Sequence, residues 1–380
     1  MDFRAKKVFV SVVSDLVTDQ RVHRTALTLR EQGAIVTLVG RKMSGSLKMA
    51  PRAYRTVRFS LLFEKGPLFY ASYNIRLFFF LLFNKCDFLV ANDLDTLPAN
   101  FLIARLKGCP LVYDSHEYFT EVPELTNRPV VRRIWLAIER WILPKLKTIV
   151  TVNESIANEY RNRYGIDVKV VRNIPLTNNF EENDFFNPLT RADLKLPENK
   201  TIFILQGAGI NVQRGAEELV EAMQFVNDAL LLIVGGGDVI DDLKKSAIVL
   251  NLSGKVIFMD KVPQQKLRRI TRIADFGLTL DKDTNLNYRY SLPNKLFDYI
   301  HAGLPVIASD LPEIRRIIDG YKIGVIIPSH EPQAIASVLN KVIQDAATNA
   351  IWKENLKKAA VELTWDSERE VLLSVFQNAR

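Results

Sequence analysis

Cysteine is scarce in this chain. Its 380 residues include only Cys86 and Cys109, both in apolar surroundings, which excludes a disulfide-built scaffold and gives no sign of a bridge. Histidine is nearly as rare: there are four, with no two at ligand spacing, so no metal site is expected. Long apolar runs are missing as well. The most apolar window, Leu77–Phe83, ends at Asn84 and Lys85, far short of the roughly 20 residues a bilayer span needs. The opening MDFRAKKVFVSVVS runs straight into a strand-like stretch with no secretory pattern, so a cytoplasmic location is expected. Repeats and low-complexity runs are also absent. Hydrophobic and charged fractions of 48% and 25% are those of an ordinary soluble globular chain.

What is present is an alternation of short β-branched runs with helical stretches, the pattern of parallel α/β layers. The length exceeds one ordinary core and suits two domains of roughly 150–200 residues. Strands are expected near 7–13, 34–39, 55–59, 87–91, 110–114, 148–152 and 168–171. After a polar segment at 176–200, read as a linker, they resume near 201–205, 230–234, 255–258, 275–280, 305–308 and 323–327. Arg21–Glu31 reads as a helix closed by Gly33, and Thr364 as the N-cap of a last helix reaching Gln377. Two Rossmann-like units in tandem place a ligand in the cleft between their strand C-termini.

Charge is uneven. Residues 1–180 hold 27 Lys and Arg against 16 Asp and Glu, and the remainder holds 24 against 27. The basic half suits an anionic partner (phosphorylated substrate, anionic lipid or nucleic acid), or it solubilises a surface. No recognisable nucleic-acid module with interleaved aromatic and basic residues accompanies it.

Several segments carry chemistry. In 291–313, SLPNKLFDYIHAGLPVIASDLPE, Pro293 opens and Gly303 closes a short helix. The free N–H groups near Asn294 and Lys295 suit a diphosphate, and Asp298, one turn on, suits ribose hydroxyls; taken alone, Asp298 reads better as a water-facing residue of a solvated helix. In 204–223, Gly207 and Gly209 follow a strand and permit close backbone approach, and Arg214-Gly215 opens a helix. Gly235-Gly236-Gly237 follows another strand, but the G-x-G-x-x-G spacing of an NAD site is absent. In the first half, Asp93 and Asp95 (ANDLDTLPA) and His116 beside Asp114 and Glu117 (LVYDSHE) stand at strand C-terminal ends. Asp95 reads either as a helix cap or as a substrate contact. Arg21 and Arg24, after the loop 14–20, are anion contacts or part of a solvated helix start. Val131, Ile134, Trp135, Ile138, Trp141 and Ile142 form one apolar stripe flanked by Arg132, Arg133, Arg140, Lys145 and Lys147. That stripe is either core or a membrane-interface surface anchored by Trp135 and Trp141.

Taken in this order, the segments resemble the GT-B glycosyltransferases of family 4, especially bacterial surface-polysaccharide enzymes with a PNK-F-(D/E)-Y-aGlPvia stretch. The resemblance implies an α/β GT-B fold. It has an N-terminal acceptor domain (1–175), a linker (176–200), a nucleotide-sugar domain (201–362) and a C-terminal helix (363–380) crossing back to the first domain. It implies a retaining transferase moving a hexosyl or related sugar from a UDP- or GDP-linked donor, with no obligatory metal or other cofactor. The implied acceptor is a glycan or a polyprenyl-diphosphate-linked glycan in polysaccharide biosynthesis, at an anionic inner membrane face and without nucleic acid. His116 and Arg214 match catalytic positions, and Lys295 is the candidate to replace the loop cation missing at Ala208. Gly207, Gly209, Gly235, Gly236, Asn294 and Asp298 are the donor-binding candidates, Arg21 and Arg24 follow a stretch resembling the family's first loop, and Asp93 and Asp95 are acceptor candidates from their strand-end places. Two residues depart from the pattern: Tyr290 stands where the family has a donor-sugar glutamate, and Ala208 where it has an arginine. Two other classes remain: a nucleotide-sugar 2-epimerase, and a non-catalytic anion- or nucleic-acid-binding protein.

Overall fold

A computed structural model of the chain describes residues 3–17, 19–46, 48–176 and 189–379. The chain divides into two compact units, Met1–Asn173 with Glu368–Arg380, and Ile174–Ser367. All thirteen expected strands are found among the described residues, within three residues of their expected ends.

The first unit holds β1 (Lys7–Asp15), β2 (Ile35–Lys42), β3 (Arg55–Ser60), β4 (Phe88–Asn92), β5 (Leu111–Ser115), β6 (Thr148–Thr151) and β7 (Asp167–Val170). They form one parallel sheet in the order β3-β2-β1-β4-β5-β6-β7. The second unit holds β8 (Thr201–Gly207), β9 (Ala229–Gly235), β10 (Val256–Met259), β11 (Phe276–Thr279), β12 (Val306–Ala308) and β13 (Gly324–Ile326). Its parallel sheet runs β10-β9-β8-β11-β12-β13.

Helices cover both faces of the second sheet, which is why its strands read as unbroken apolar runs. Phe203, Leu205, Leu231 and Ile233 enter one core, while Ile202, Ile204, Leu230, Leu232 and Val234 enter the other. In both sheets the strand order reverses beside the first strand, between β1 and β4 and between β8 and β11. The loops leaving the strand C-termini there part in opposite directions, and the crevice between them is where such a sheet binds ligands.

Local signals behave as their chemistry dictates. Asp19 accepts a hydrogen bond from Val22 N and starts the helix Gln20–Glu31, and Gly33 beyond its end has φ of +88°. Thr364 Oγ1 accepts from Ser367 N (3.4 Å) at the start of the last helix, Trp365–Asn378. Farther along that helix, Phe376 packs on Phe3 and Phe88, and Glu368 pairs with Arg172 at 2.6 Å.

Two expectations change. Of the polar segment 176–200, residues 177–188 lie outside the described residues, while Leu189, Leu194 and Leu196 pack into a core of the second unit. The apolar stripe of the helix Pro129–Ile142 is two surfaces, not one. Trp135 is 7% exposed, between the rings of Tyr70 and Phe119, whereas Ile134 and Trp141 are about half exposed. The reason is angular: Ile134 and Trp135 are neighbours in sequence and so point about 100° apart on a helix.

Candidate functional site

In the second unit the chemistry gathers at the β8/β11 reversal. The turns after β8 and β9 are zipped together: Gly236 N donates to Gly207 O (3.2 Å), and Ile210 N to Gly236 O (2.8 Å). Gly235 has φ of +142°, and a Cβ there would stand 1.8 Å from Gly207 O, so only glycine allows this closure. Gly209 is less constrained, lying beside the Asn211 side chain, and Lys261 reaches over Gly236. Ala208 is exposed.

Arg214 follows in the same loop. Gly215, at φ of +71°, presses against the end of β11 so closely that a Cβ would meet Leu280 O at 2.2 Å. That approach sets Arg214 over Asp281, which is fully buried. Arg214 Nη1 lies 3.0 Å from Asp281 Oδ1, and Lys295 Nζ lies 3.8 Å from Oδ2. The guanidinium also stacks 4.3 Å from the centre of the Tyr288 ring. Burial alone would raise the Asp281 pKa, but Lys295 and Arg214 overcome it and hold the carboxyl below its usual range. Burial, helped by Arg214, brings Lys295 below the usual lysine range. One buried anion thus carries two cations, leaving an excess positive charge. The arginine and lysine side chains keep 28% and 15% exposure.

Lys295 belongs to the helix Asn294–Ala302, whose N-cap is Pro293 and whose C-cap, Gly303, has φ of +74°. The helix is pinned by Tyr299, fully buried, whose hydroxyl donates to Leu278 O (3.0 Å) and Ile204 O (3.2 Å). Its first-turn N–H groups, with Asn294 exposed, add to the positive potential. Asp298, one turn on, accepts from Gln206 Nε2 (3.2 Å), and Gln206 is itself held by Thr271 Oγ1 (2.6 Å). A small recess beside Asp298 is lined by Arg268, Thr271, Arg272 and His301. Such an arrangement can take a polyanion at the cations and hydroxyl groups at the carboxylate.

In the first unit a second ionic cluster stands at the ends of β4 and β5. Asp93, directly after β4, has φ of +59°, a strained value for a non-glycine residue that often marks a functional position. Its Oδ1 accepts from His116 N (2.8 Å), and its Oδ2 lies 3.3 Å from His116 Nδ1. His116 Nε2 lies 3.1 Å from Asn92 Oδ1 and 3.5 Å from Asp114 Oδ2. Burial would lower the imidazole pKa, but Asp93 and Asp114 raise it to about 9, so His116 is cationic at neutral pH. Burial raises Asp93 above the usual range.

Arg21 and Arg24 are turned inward. Arg21, 3% exposed, grips Asp114 through Nη2 (2.6 Å) and Nε (3.2 Å) and donates Nη1 to Val171 O. Arg24, 6% exposed, donates to Asn173 Oδ1. Neither is presented to solvent as the loop reading expected. Asp95 does not cap the following helix, whose N-cap is Thr96. Burial and the charge of Asp93 push Asp95 well above the usual carboxyl range. Asp95, Asp93, Asp19, Arg41, Lys65 and Tyr70 line an open cavity of about 370 Å3.

Sequence reasoning missed Asp281, Tyr288 and Gln206. Asp281 had a visible signal, an acidic residue just past a buried strand, the same signal that drew attention to Asp93. Tyr290 caps the short helix Leu286–Arg289, and it is Tyr288, two residues earlier, that meets Arg214.

Comparisons with known proteins bear on what this arrangement is. Residues 187–359 match the family model "Glycosyl transferases group 1", and residues 19–175 match "Glycosyltransferase Family 4". A D-inositol 3-phosphate glycosyltransferase of Xylanimonas cellulosilytica is 22% identical over 74% of this chain and 69% of its own. A chitobiosyldiphosphodolichol beta-mannosyltransferase of Candida glabrata is 24% identical over 56% of this chain and 53% of its own, so the match spans about half the length of that relative. Among solved structures, sucrose-phosphate synthase from Thermosynechococcus elongatus superimposes with a TM-score of 0.79 at 16% identity, over 98% of both chains. WaaG, a glycosyltransferase involved in lipopolysaccharide biosynthesis, gives 0.74 at 16%, over 97% of this chain and 99% of its own. Anabaena HepE in complex with UDP-glucose gives 0.71 at 14%, over 98% and 99%. At these identities the structural likeness is one of fold, the GT-B pair of Rossmann-like units.

Proposed function

Because the chain is a glycosyltransferase whose first unit matches the family 4 model and whose second matches the group 1 model, we propose that it transfers a sugar from a nucleotide diphosphate donor to a glycan or lipid-linked acceptor. The observation that carries this reading is the Arg214–Asp281–Lys295 triad beside the glycine turns and the N-terminus of the helix Asn294–Ala302. The donor diphosphate gains charge as the sugar–phosphate bond breaks. Fixed cations and backbone N–H groups that need no reorganisation are the largest lever on such a step. Asp298 takes the ribose hydroxyls. The positive triad takes the leaving charge without a metal. The sugar keeps its anomeric configuration, with the leaving phosphate itself assisting removal of the acceptor proton. The UDP-glucose of the HepE structure supports a uridine donor, with a GDP-linked donor as the alternative.

The acceptor side of this reading rests on the first unit. Its cavity at Asp93 and Asp95 receives the acceptor hydroxyl. Trp141 with Lys145 over its ring (5.0 Å), Ile134, Phe79 and Phe83 give a partly exposed apolar and basic surface suited to an anionic membrane face. No helix among the described residues is long and apolar enough to cross a membrane; the contact proposed is a peripheral one through this surface. The name of the Candida relative, a mannosyltransferase of a diphosphate-linked lipid sugar, supports a lipid-linked acceptor. The involvement of WaaG in lipopolysaccharide biosynthesis supports a place in cell-surface polysaccharide synthesis.

The test is product analysis with a panel of UDP- and GDP-sugars, with and without a membrane extract as acceptor source. Transfer is expected only with acceptor; a new nucleotide sugar formed without acceptor overturns the reading in favour of epimerisation. Arg214→Ala should lower the transfer rate about 10²–10³-fold while leaving binding of the bare nucleoside unchanged. Equal losses in both would mean that the variant is misfolded.

A further inference from the structure

The chain has two cysteines, 23 residues apart, and the fold brings their sulfur atoms to 3.7 Å. Cys86 lies just before β4 and Cys109 just before β5, at the N-terminal ends of paired parallel strands. The pairing Leu89↔Leu111, continued back by two residues, sets Asp87 opposite Cys109 and leaves Cys86 one residue out of register. Strands about 4.8 Å apart with a rise of about 3.3 Å per residue then separate the two Cα atoms by about 6 Å. That is the usual span of a disulfide.

The surroundings hold this geometry in place. Lys107 Nζ donates to Leu81 O and Asn84 O, both at 2.7 Å, tying the end of the helix Leu97–Lys107 to the end of the helix Pro67–Phe83. Cys86 is 9% exposed within the apolar cluster of Phe9, Leu81, Leu89 and Ile103, and Cys109 is partly exposed at its edge. No residue of the proposed donor or acceptor sites touches the pair.

We propose that Cys86 and Cys109 are a modification site, a dithiol that small-molecule disulfides oxidise to an intramolecular bridge. A thiolate of the pair attacks one sulfur of the small disulfide, forming a mixed disulfide and releasing one small thiolate. The other cysteine gives its proton to solvent and attacks the protein sulfur of that mixed disulfide. The Cys86–Cys109 bond forms and the second small thiolate leaves. Two protein thiols are oxidised, and one small disulfide is reduced to two thiols. The hydrogen bond between the sulfurs lowers the Cys86 thiol below its usual range, which favours a thiolate on that sulfur. The bridge closes a loop that holds all of β4 and the helix Leu97–Lys107, so it constrains the unfolded chain, while the bond itself lies at the strand N-termini.

The experiment uses the whole, fully reduced protein treated with oxidised glutathione, then alkylated and analysed as intact mass and as non-reduced peptides. The expected product has lost two hydrogens, carries a Cys86–Cys109 cross-linked peptide, unfolds about 5 °C or more higher and reverts with dithiothreitol. Cys109→Ser and Cys86→Ala, each tested alone, should form no bridge and retain at most one glutathione adduct. Two stable glutathione adducts on the wild type, an intermolecular dimer, or no reaction at either thiol would each overturn the proposal.

Discussion

Each unit buries a carboxylate at the C-terminal end of its sheet with two cations on it, the second cation of the first unit, His116, being shared with Asp93, and the two clusters leave their arginines in different states. Around Asp114 the arginine is sealed: Arg21 is 3% exposed, forks onto the carboxylate through Nε and Nη2 and donates from its third nitrogen to Val171 O. Around Asp281 the carboxylate is just as buried, but Arg214 and Lys295 stay partly open and meet it one nitrogen at a time. An arginine with its fork fully engaged is a structural strut, because an incoming anion would have to displace buried hydrogen bonds. An arginine and a lysine sharing one carboxylate keep donors and net charge for another anion. An arginine on a buried carboxylate therefore holds strand ends together in the first unit and offers an anion site in the second.

The largest effect should come from removing the two anions in turn. Asp281→Asn and Asp114→Asn should each cost about 3–5 kcal/mol of stability, since each leaves cations without their buried partner. A nucleoside diphosphate should then restore the melting temperature of Asp281→Asn by more than it raises that of the wild type, because it supplies the lost negative charge. It should give Asp114→Asn no such rescue. Thermal unfolding with and without UDP or GDP checks this, and equal rescue in both variants breaks the distinction.

The first cluster is sharpened by pH. His116 titrates at about 9 in the folded chain against an ordinary 6.5, so its folded state binds the proton more tightly. The stabilisation is fully present below about pH 6.5 and is lost as pH rises through about 9, on the order of 3 kcal/mol in all. Urea unfolding of the wild type between those values should show a falling midpoint, and His116→Gln should flatten it. An equal slope in the variant removes His116 as the cause.

Within the second cluster, Asp298→Asn should weaken nucleoside diphosphate binding by about 1–3 kcal/mol while leaving inorganic pyrophosphate binding unchanged, since the ribose contact is separate from the cations. Calorimetry with both ligands reads this, and an equal loss for pyrophosphate would merge the two contacts. The smallest effect concerns the outer face of the first unit. Each Lys or Arg there is worth about 1 kcal/mol near an anionic surface, so Lys145→Ala should reduce co-sedimentation with anionic vesicles several-fold at low salt. No co-sedimentation of the wild type at any salt would leave that face without a membrane role.

The alternation of β-branched runs with helical stretches by itself determined thirteen strands, two parallel sheets and the short helix at Asn294, because these depend on side-chain periodicity and on caps within a few residues. The sequence also brought Asp93 and His116 into view, as polar residues just past apolar strands, and Arg214, Lys295 and Asp298 through the glycine-rich turn, the helix bounded by Pro293 and Gly303 and the family resemblance. What it left open was which charges neutralise one another. Arg21 looked available until the fold set Asp114, 93 residues away, against its guanidinium. Asp281 went unnoticed, although it lies 67 residues from the Arg214 that it holds. Trp135 and Trp141 read as one stripe until packing against Tyr70 and Phe119 drew the first inward and left the second partly in solvent. Burial and ion pairing depend on groups distant in sequence, and the energy of a charge is set by what surrounds it, so only the tertiary structure could decide which cations remain free to act.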